Sequence, residues 1–148
     1  ETILTNKKVL IHGDLSPKNI LFSNKNVVIL DAECACWGDP AFDIAFCINH
    51  FLLKSAKLPV IRKKLIQLSE VFLYTYLNNI TWERPETLEK RIVNTIPILL
   101  LARVDGKSPV EYLNYNQKEY TRNLALELLE SNIQNFQNLK IIWESFNA

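Results

Sequence analysis

Two short apolar runs near the N-terminus, joined by turn-forming residues, place the strongest constraint on how this chain folds. Ile20-Leu21-Phe22 and Val27-Val28-Ile29-Leu30 are strand-like, and Ser23-Asn24-Lys25-Asn26 between them has the composition of a tight turn. The sequence therefore predicts a β-hairpin in which Phe22 lies opposite Val27.

This register brings two oxygen-bearing side chains together at the open end of the hairpin. Asn19 lies opposite Leu30, so that Asp31 is one residue from being directly across the strands. Cross-strand neighbours are about 5 Å apart, and Asn19 and Asp31 can therefore share a metal ion. Asp14 lies upstream of Asn19, in a loop that glycine and proline keep irregular, and it can fold back over the same place.

These residue types suit the transfer of a phosphoryl group from a nucleotide. That reaction needs a base near the attacking hydroxyl group and oxygen ligands that hold Mg²⁺ against the phosphates. Asp14 is the candidate base, and Asn19 and Asp31 are the candidate ligands. Taken singly, each is also explained as a turn or capping residue. Their order after His12, followed by a hairpin that ends in Asp31, is the order of the catalytic loop and metal aspartate in kinases.

Three segments within residues 10–54 resemble the aminoglycoside phosphotransferase and choline kinase-like family. They are Ile11-His12-Gly13-Asp14-Leu15-Ser16-Pro17-Lys18-Asn19-Ile20-Leu21, Leu30-Asp31-Ala32-Glu33 and Gly38-Asp39-Pro40-Ala41-Phe42-Asp43-Ile44-Ala45. Protein kinases resemble the chain less, because they would have Arg in place of Gly13 and a Phe-Gly pair after Asp31.

The resemblance implies a kinase-like fold that uses Mg²⁺ and ATP (or GTP). It implies that Asp14 is the catalytic base and that Asn19 and Asp31 bind the metal and the nucleotide. It also implies that His12 and Asp43 support the catalytic loop, with Asp43 buried and accepting hydrogen bonds from the loop backbone.

Several of these positions also have a structural interpretation. Asp39 followed by Pro40 predicts an N-cap with proline in the first helical position. Asp43 then falls in the first turn, where a carboxylate meets the positive end of the helix dipole, although its apolar neighbours favour the supporting role. The apolar neighbours of His12 predict a packed imidazole bonded to a backbone carbonyl. His50, in an apolar helix, is predicted to be structural.

The remainder of the chain has helical periodicity. Beyond the helix after Asp39, we predict helices at 59–78, 85–104 with a kink at Pro97, 108–113 from a capping box, 117–129 and 131–146. The predicted buried face of the helix at 59–78 consists of Ile61, Leu65, Leu68, Phe72 and Tyr76.

Strands early and helices later predict an α+β, mainly helical fold. We expect one domain over 1–148, with the catalytic loop, metal-site hairpin and following helix in 1–54 and a helical subdomain in 55–148.

Composition argues against several classes of protein. A net charge of +1 with scattered basic residues gives no electrostatic case for binding nucleic acid or an anionic membrane. No apolar stretch is long enough to span a bilayer and no signal peptide opens the sequence, so we expect a cytoplasmic location. Cys34, Cys36 and Cys47 are an odd number and are predicted to be reduced, with Cys47 in a helix core.

The three glycines, Gly13, Gly38 and Gly106, form no glycine-rich phosphate loop, and no strand-borne lysine precedes the catalytic loop. The resemblance implies an N-terminal lobe that covers the nucleotide phosphates, and these 148 residues do not contain one. We therefore expect the C-terminal lobe of a kinase-like fold, inactive alone, whose partner is the missing N-terminal lobe. The exposed lobe interface would also favour self-association.

The expected activity is transfer of the γ-phosphate of ATP or GTP to a hydroxyl group of a sugar, aminoglycoside or amino alcohol. Glu33 and Trp37, which follow the metal aspartate, are candidates for contact with this acceptor. Arg103, Asp105 and Lys107 at a helix end are further candidates, equally well explained as a solvated helix terminus. The alternative function is a non-catalytic remnant that serves as an interaction or ligand-binding domain.

Overall fold

Short strands and loops form the N-terminal part of the computed structural model, and helices form the rest. The structure describes residues 3, 5–24 and 26–146. Within them, two antiparallel sheets have two strands each: β1 (Val9–Ile11) pairs with β4 (Cys36–Gly38), and β2 (Ile20–Ser23) pairs with β3 (Asn26–Ile29). The β1–β4 pair therefore joins the segments that precede and follow the β2–β3 hairpin.

The β2–β3 hairpin has the predicted register. Phe22 pairs with Val27, and the backbone N–H of Leu30 donates a 2.8 Å hydrogen bond to the carbonyl of Asn19. Lys25, which was predicted in the turn, lies outside the described residues. The sequence did not predict that Cys36–Gly38 forms a strand with Val9–Ile11.

The helices of the described chain are α1 (Pro40–Lys57), α2 (Arg62–Leu77), α3 (Pro85–Val104), α4 (Tyr115–Glu130) and α5 (Phe136–Ser145). Helix α1 begins as predicted, because the Asp39 side chain accepts a 3.0 Å hydrogen bond from the N–H of Ala41. Helix α3 has the predicted bounds and continues through Pro97. Among the described helices, none is both long and apolar enough to cross a membrane.

The predicted helix at 108–113 does not form. The backbone N–H of Val110 donates to the carbonyl of Arg103 at 2.8 Å, and Ser108 Oγ accepts a 3.3 Å hydrogen bond from Arg103 Nη1. Ser108 is therefore engaged by a neighbouring side chain and does not cap a helix. The capping box belongs to α4, where Asn114 and Gln117 each accept from the other's backbone N–H.

Two other helices start later than predicted. Residues 59–61 form a single 3-10 turn before α2. Residues 131–135 form a loop, because the side chain of Asn135 caps α5 by accepting a 3.0 Å hydrogen bond from the N–H of Asn138.

The helices bury a common core that includes Trp143, whose Nε1 donates a 3.1 Å hydrogen bond to Ser55 Oγ. The predicted buried face of α2 is wrong by one position. The structure buries Ile66, Ser69, Leu73 and Leu77, whereas Ile61 and Leu68 are exposed and Leu65, Phe72 and Tyr76 are half-buried. Helix α2 has two adjacent apolar stripes. One packs into the core, and the other, with Leu68 and Phe72, lines an apolar cavity beside the hairpin.

Candidate active site

Asp43, in the first turn of α1, holds the loop that contains Asp14. Its Oδ2 accepts a 2.6 Å hydrogen bond from the N–H of His12, and its Oδ1 accepts a 2.9 Å hydrogen bond from the N–H of Gly13. Both bonds are charge-assisted and thus stronger than bonds between neutral groups. The resemblance implied a buried Asp43, but the residue is half-buried. The loop is therefore fixed to the helical region through one carboxylate.

Gly13 allows this loop to pack closely on the chain that follows the hairpin. Its φ is 79°, in the left-handed region that favours glycine. A Cβ atom at this position would lie 2.5 Å from the carbonyl oxygen of Cys34. Both the conformation and the close approach therefore require glycine here.

The imidazole of His12 joins the loop to the end of the hairpin. Its Nδ1 lies 3.2 Å from the backbone nitrogen of Asp14, and its Nε2 lies 2.8 Å from the carbonyl oxygen of Leu30. Because Nδ1 accepts from the Asp14 N–H, the ring proton is on Nε2, which donates to Leu30. This is the carbonyl-bonded histidine that the sequence predicts, and neither nitrogen is left for proton transfer.

Asn19 orients the carboxylate of Asp14. Asn19 is buried, and its Nδ2 donates to the Asp14 carbonyl at 2.9 Å and to Asp14 Oδ2 at 3.0 Å. Lys18 Nζ lies 3.5 Å from the same Oδ2. Among the described residues, none donates a hydrogen bond to Oδ1. One oxygen of Asp14 is thus held in place, and the other remains open to accept a proton.

Asp31 has a backbone conformation that few residues other than glycine adopt. Its φ is 65°, and it is the one non-glycine residue with a positive φ in the part of the chain that the structure describes. Aspartate tolerates this region better than most residues, but at a cost in energy. Such conformations cluster at functional sites. The side chain is exposed and forms no ion pair with any described residue.

The donor set of Asn19 and Asp31 fits Mg²⁺. Both supply hard oxygen atoms, and no described residue donates a hydrogen bond to Asn19 Oδ1. In the described ranges, there is no group of three or more His, Cys, Asp or Glu side chains that could hold a metal ion by themselves. Mg²⁺ commonly binds through one or two carboxylates and keeps several waters, with substrate phosphates completing its shell. These two side chains therefore suit a metal ion that binds together with a nucleotide.

Asp14 also lines a cavity of about 360 Å³ between the loop and the helices. The other charged or titratable residues of its lining are Lys18, His50, Lys54, Arg103 and Tyr112. A small molecule in this cavity would lie next to the carboxylate of Asp14.

His50, which the sequence predicted to be structural, lies at this cavity. Its Nε2 is buried and has no hydrogen-bond partner, and its ring packs edge-on against Phe46 with the centroids 5.0 Å apart. Burial and, to a smaller extent, the nearby Arg103 cation lower the pKa of His50 to about 4. The imidazole is therefore uncharged at neutral pH.

Of the five residues predicted to contact the acceptor, Arg103 alone lines the cavity with Asp14. Trp37 lines a different cavity, and Glu33 is exposed outside the Asp14 cavity. Asp105 forms an ion pair with an arginine of α4 at 2.5 Å, which also holds the pKa of Asp105 below its usual range. Lys107 is exposed in the loop that follows α3. Of the three candidates at the end of α3, Arg103 thus lines the cavity, whereas Asp105 and Lys107 lie at the surface.

Lys54 was not among the predicted site residues, although the sequence contains a signal for it. Asp43, His50 and Lys54 are seven and four residues apart on α1, which places them on one face of the helix. That face begins under the loop at Asp43 and continues along the cavity. Once Asp43 is identified as the residue that holds the loop, helical spacing predicts that His50 and Lys54 lie on the same face of α1.

Comparison with known proteins identifies the family of this chain. No curated protein matches the sequence. The sequence model of the phosphotransferase enzyme family, APH, matches residues 3–78. This match covers more than half of the 148 residues and includes the loop, the hairpin, α1 and α2. The chain therefore belongs to the phosphotransferase enzyme family.

Proposed function

We propose that this chain carries the catalytic loop of a small-molecule kinase, which transfers the γ-phosphate of ATP (or GTP) to a hydroxyl group of a small polar substrate. The observation that carries the proposal is the geometry of Asp14. One of its oxygens is held by Asn19 and the other is open, beside a cavity of about 360 Å³. Membership of a phosphotransferase family supports the same reaction class.

In this mechanism, the acceptor hydroxyl lies in the cavity next to Asp14 Oδ1. The hydroxyl oxygen attacks the γ-phosphorus while the bond to the bridging oxygen of the β-phosphate breaks. The hydroxyl proton passes to Asp14 Oδ1. Because the transition state is loose, Asp14 contributes mainly by positioning the hydroxyl group and accepting its proton.

Asn19 and Asp31 are the side chains that would hold Mg²⁺. When bound, this ion neutralises charge on the transferring phosphoryl group. Asn19 then acts in two ways, because its nitrogen fixes Asp14 while its oxygen remains available for the metal. His12 and Asp43 are positioning residues, since their hydrogen bonds fix the loop backbone on either side of Gly13.

We also propose that the 148 residues alone transfer no phosphate. They contain no glycine-rich phosphate loop, and positioning of the phosphates supplies a large part of the rate in such reactions. Exposed apolar residues of the hairpin, Leu21, Phe22 and Val28, would suit contact with a separate lobe or self-association.

Site-directed variants of the full-length natural protein test the catalytic assignment. Mg²⁺-dependent ATP consumption is measured with a panel of small alcohols. We expect Asp14→Asn and Asp31→Ala to lower kcat by at least about a hundredfold. Glu127→Gln changes an exposed carboxylate on α4 and should retain full activity. Full activity of Asp14→Asn would contradict the assignment.

Calorimetry of the isolated chain tests the second proposal. We expect weak binding of Mg·ATP or none, with no phosphate transfer. Micromolar binding accompanied by turnover would show that these residues form a complete kinase.

A further inference from the structure

The cavity beside Asp14 is cationic. Lys18, Lys54 and Arg103 line it, and Asp14 is the one carboxylate that lines it among the described residues. Lys18 lies close to Asp14, with 3.5 Å between Nζ and Oδ2. His50 adds no charge at neutral pH because burial lowers its pKa to about 4. An excess of positive charge therefore remains in the cavity.

Lys54 and Arg103 have no counter-ion among the described residues. Lys54 Nζ lies 5.3 Å from the centroid of the Tyr112 ring, a cation–π contact. Arg103 donates from Nη1 to the neutral hydroxyl of Ser108 at 3.3 Å. No carboxylate in the described ranges forms an ion pair with either side chain. Each is therefore a cation that an anionic ligand can neutralise.

Four polar atoms from the residues lining this cavity are buried with no hydrogen-bond partner among the described residues. They are Oγ of Ser16, Nε of Arg103, Nε2 of His50 and the hydroxyl of Tyr112. Buried polar groups in proteins are nearly always hydrogen-bonded, and all four of these groups can donate to an oxygen atom. A ligand with several acceptor oxygens would satisfy them.

Lys54 and Arg103 line a cavity that the metal candidates do not line. They belong to α1 and to the last turn of α3. Asn19 and Asp31 flank the hairpin at its open end. The position of the two cations in the Asp14 cavity therefore favours contact with the acceptor over contact with the phosphates of a nucleotide whose Mg²⁺ would be bound at the end of the hairpin.

Given the function proposed above, on which this step rests, we infer that the acceptor is an anionic alcohol. Its carboxylate or phosphate group binds Lys54 and Arg103, and its hydroxyl group lies at Asp14. The hydroxyl oxygen forms the new bond to the γ-phosphorus, the proton goes to Asp14, and ADP leaves with the electrons of the broken bond. An aminoglycoside or amino alcohol would bring a positive charge into a cavity that already has an excess of it.

Four small probes of similar size separate the possible acceptors: glycerate, glycerol phosphate, glycerol and aminopropanediol. Each is titrated into the chain without nucleotide, and binding is followed by the ring signals of His50. We expect at least one anionic probe to bind at least about tenfold more tightly than glycerol, and aminopropanediol to bind least. The tighter of glycerate and glycerol phosphate identifies the anionic group.

Variants of the two cations test whether the anionic probe binds in this cavity. Lys54→Gln and Arg103→Gln should each weaken binding of the anionic probe at least about tenfold. Lys90→Gln, at an exposed lysine of α3 outside the cavity, is the matched control and should leave affinity unchanged. Added salt should weaken the binding, because the cavity is partly open to solvent. Lys54 is exposed, so its variant keeps the test valid even if Arg103→Gln unfolds.

Several outcomes would overturn the inference. They are equal affinity for glycerol or aminopropanediol, an anion affinity that neither variant changes, and no anion binding in the millimolar range. Weaker binding of ATP to Arg103→Gln, with ATP displacing the anionic probe, would show that the cations hold the nucleotide. None of these measurements requires turnover. Failure of the proposed function is seen separately, as phosphate transfer that survives Asp14→Asn.

Discussion

The strand-and-loop region, residues 5–24 and 26–39, and the helical region, residues 40–146, are held together by different interactions. In the helical region, side chains from all five helices form one buried apolar core. In the strand-and-loop region, Phe22, Val27 and Trp37 are exposed, and hydrogen bonds from His12 and to Asp43 fix the loop. The helices thus supply stability, while a few polar contacts define the geometry of the site.

A second polar contact attaches the strand-and-loop region to the helices. Asp39 is 1% exposed and accepts hydrogen bonds from Arg91 of α3, at 2.8 Å from Nε and 3.1 Å from Nη2. Arg91 also donates to Glu83 at 2.9 Å. Because Asp39 also caps α1, this ion pair fixes the point where the two regions join.

The largest expected difference between the two regions is the cost of losing an aromatic side chain. Trp143→Ala should lower the free energy of unfolding by about 3–5 kcal/mol, because it empties a fully buried site. Phe22→Ala removes a side chain that is 81% exposed and should change this free energy by less than about 0.5 kcal/mol. Chemical denaturation followed by circular dichroism measures both. Similar costs would show that the hairpin shares the core.

Acidification should destabilise the cavity face of α1 by a smaller amount. The folded pKa of His50 is about 4 and its ordinary value is 6.5. Burial is the main cause of the lower pKa, the Arg103, Lys18 and Lys54 cations add to it, and Asp14 opposes it. Between these values the unfolded chain binds a proton that the folded protein does not. The free energy of unfolding therefore falls as the pH falls through this window, by up to about 3 kcal/mol.

The variant His50→Gln, which cannot titrate, isolates this effect. Urea denaturation of both proteins at neutral pH and near pH 4 should show a smaller loss of stability in the variant. The carboxylates titrate in both proteins and cancel in the difference. An equal loss would mean that the imidazole is protonated in the folded state.

Asp43→Asn should have a smaller and more local effect. The free energy of unfolding should fall by about 1–2 kcal/mol, because two charge-assisted hydrogen bonds to the loop are weakened. Hydrogen exchange of the His12 and Gly13 amides should accelerate, while amides in α3 should be affected only through global stability. If exchange and melting temperature are both unchanged, Asp43 contributes to the first turn of α1 alone and does not hold the loop.

Local sequence predicted those parts of the fold that depend on local interactions. The register of Phe22 with Val27 follows from two short runs and a turn, and the start of α1 follows from Asp39 and Pro40. Tertiary contacts decided the rest. Ser108 has the sequence of a helix cap, but Arg103 binds its hydroxyl. Helix α2 has two apolar stripes, and periodicity alone cannot tell which one faces the core.

The candidate site likewise has one part that local sequence predicts and another part that depends on tertiary contacts. Asp14, Asn19 and Asp31 lie close together in sequence, so the motif and the hairpin register place them. Lys54 in α1 and Arg103 in α3, which line the cavity with Asp14, come from distant parts of the chain. Motif spacing cannot predict which distant helix end closes a cavity, and two of the three helix-end candidates, Asp105 and Lys107, lie outside it for that reason.

The smallest expected effect on stability is at Asp31, a proposed metal ligand with a strained backbone conformation. Asp31→Gly relieves the cost of a left-handed aspartate, of order 1 kcal/mol, but adds about 0.5–1 kcal/mol of chain entropy in the unfolded state. The free energy of unfolding should therefore stay within about 0.5 kcal/mol of the parent. Glu33→Gly, in the 3-10 turn that follows, has no such relief and should cost about 0.5–1 kcal/mol. Asp31→Gly should nevertheless abolish Mg²⁺-dependent phosphate transfer in the full-length protein, since it removes a proposed metal ligand. A cost of Asp31→Gly as large as that of Glu33→Gly would mean that the aspartate stabilises the hairpin and that its conformation is unstrained.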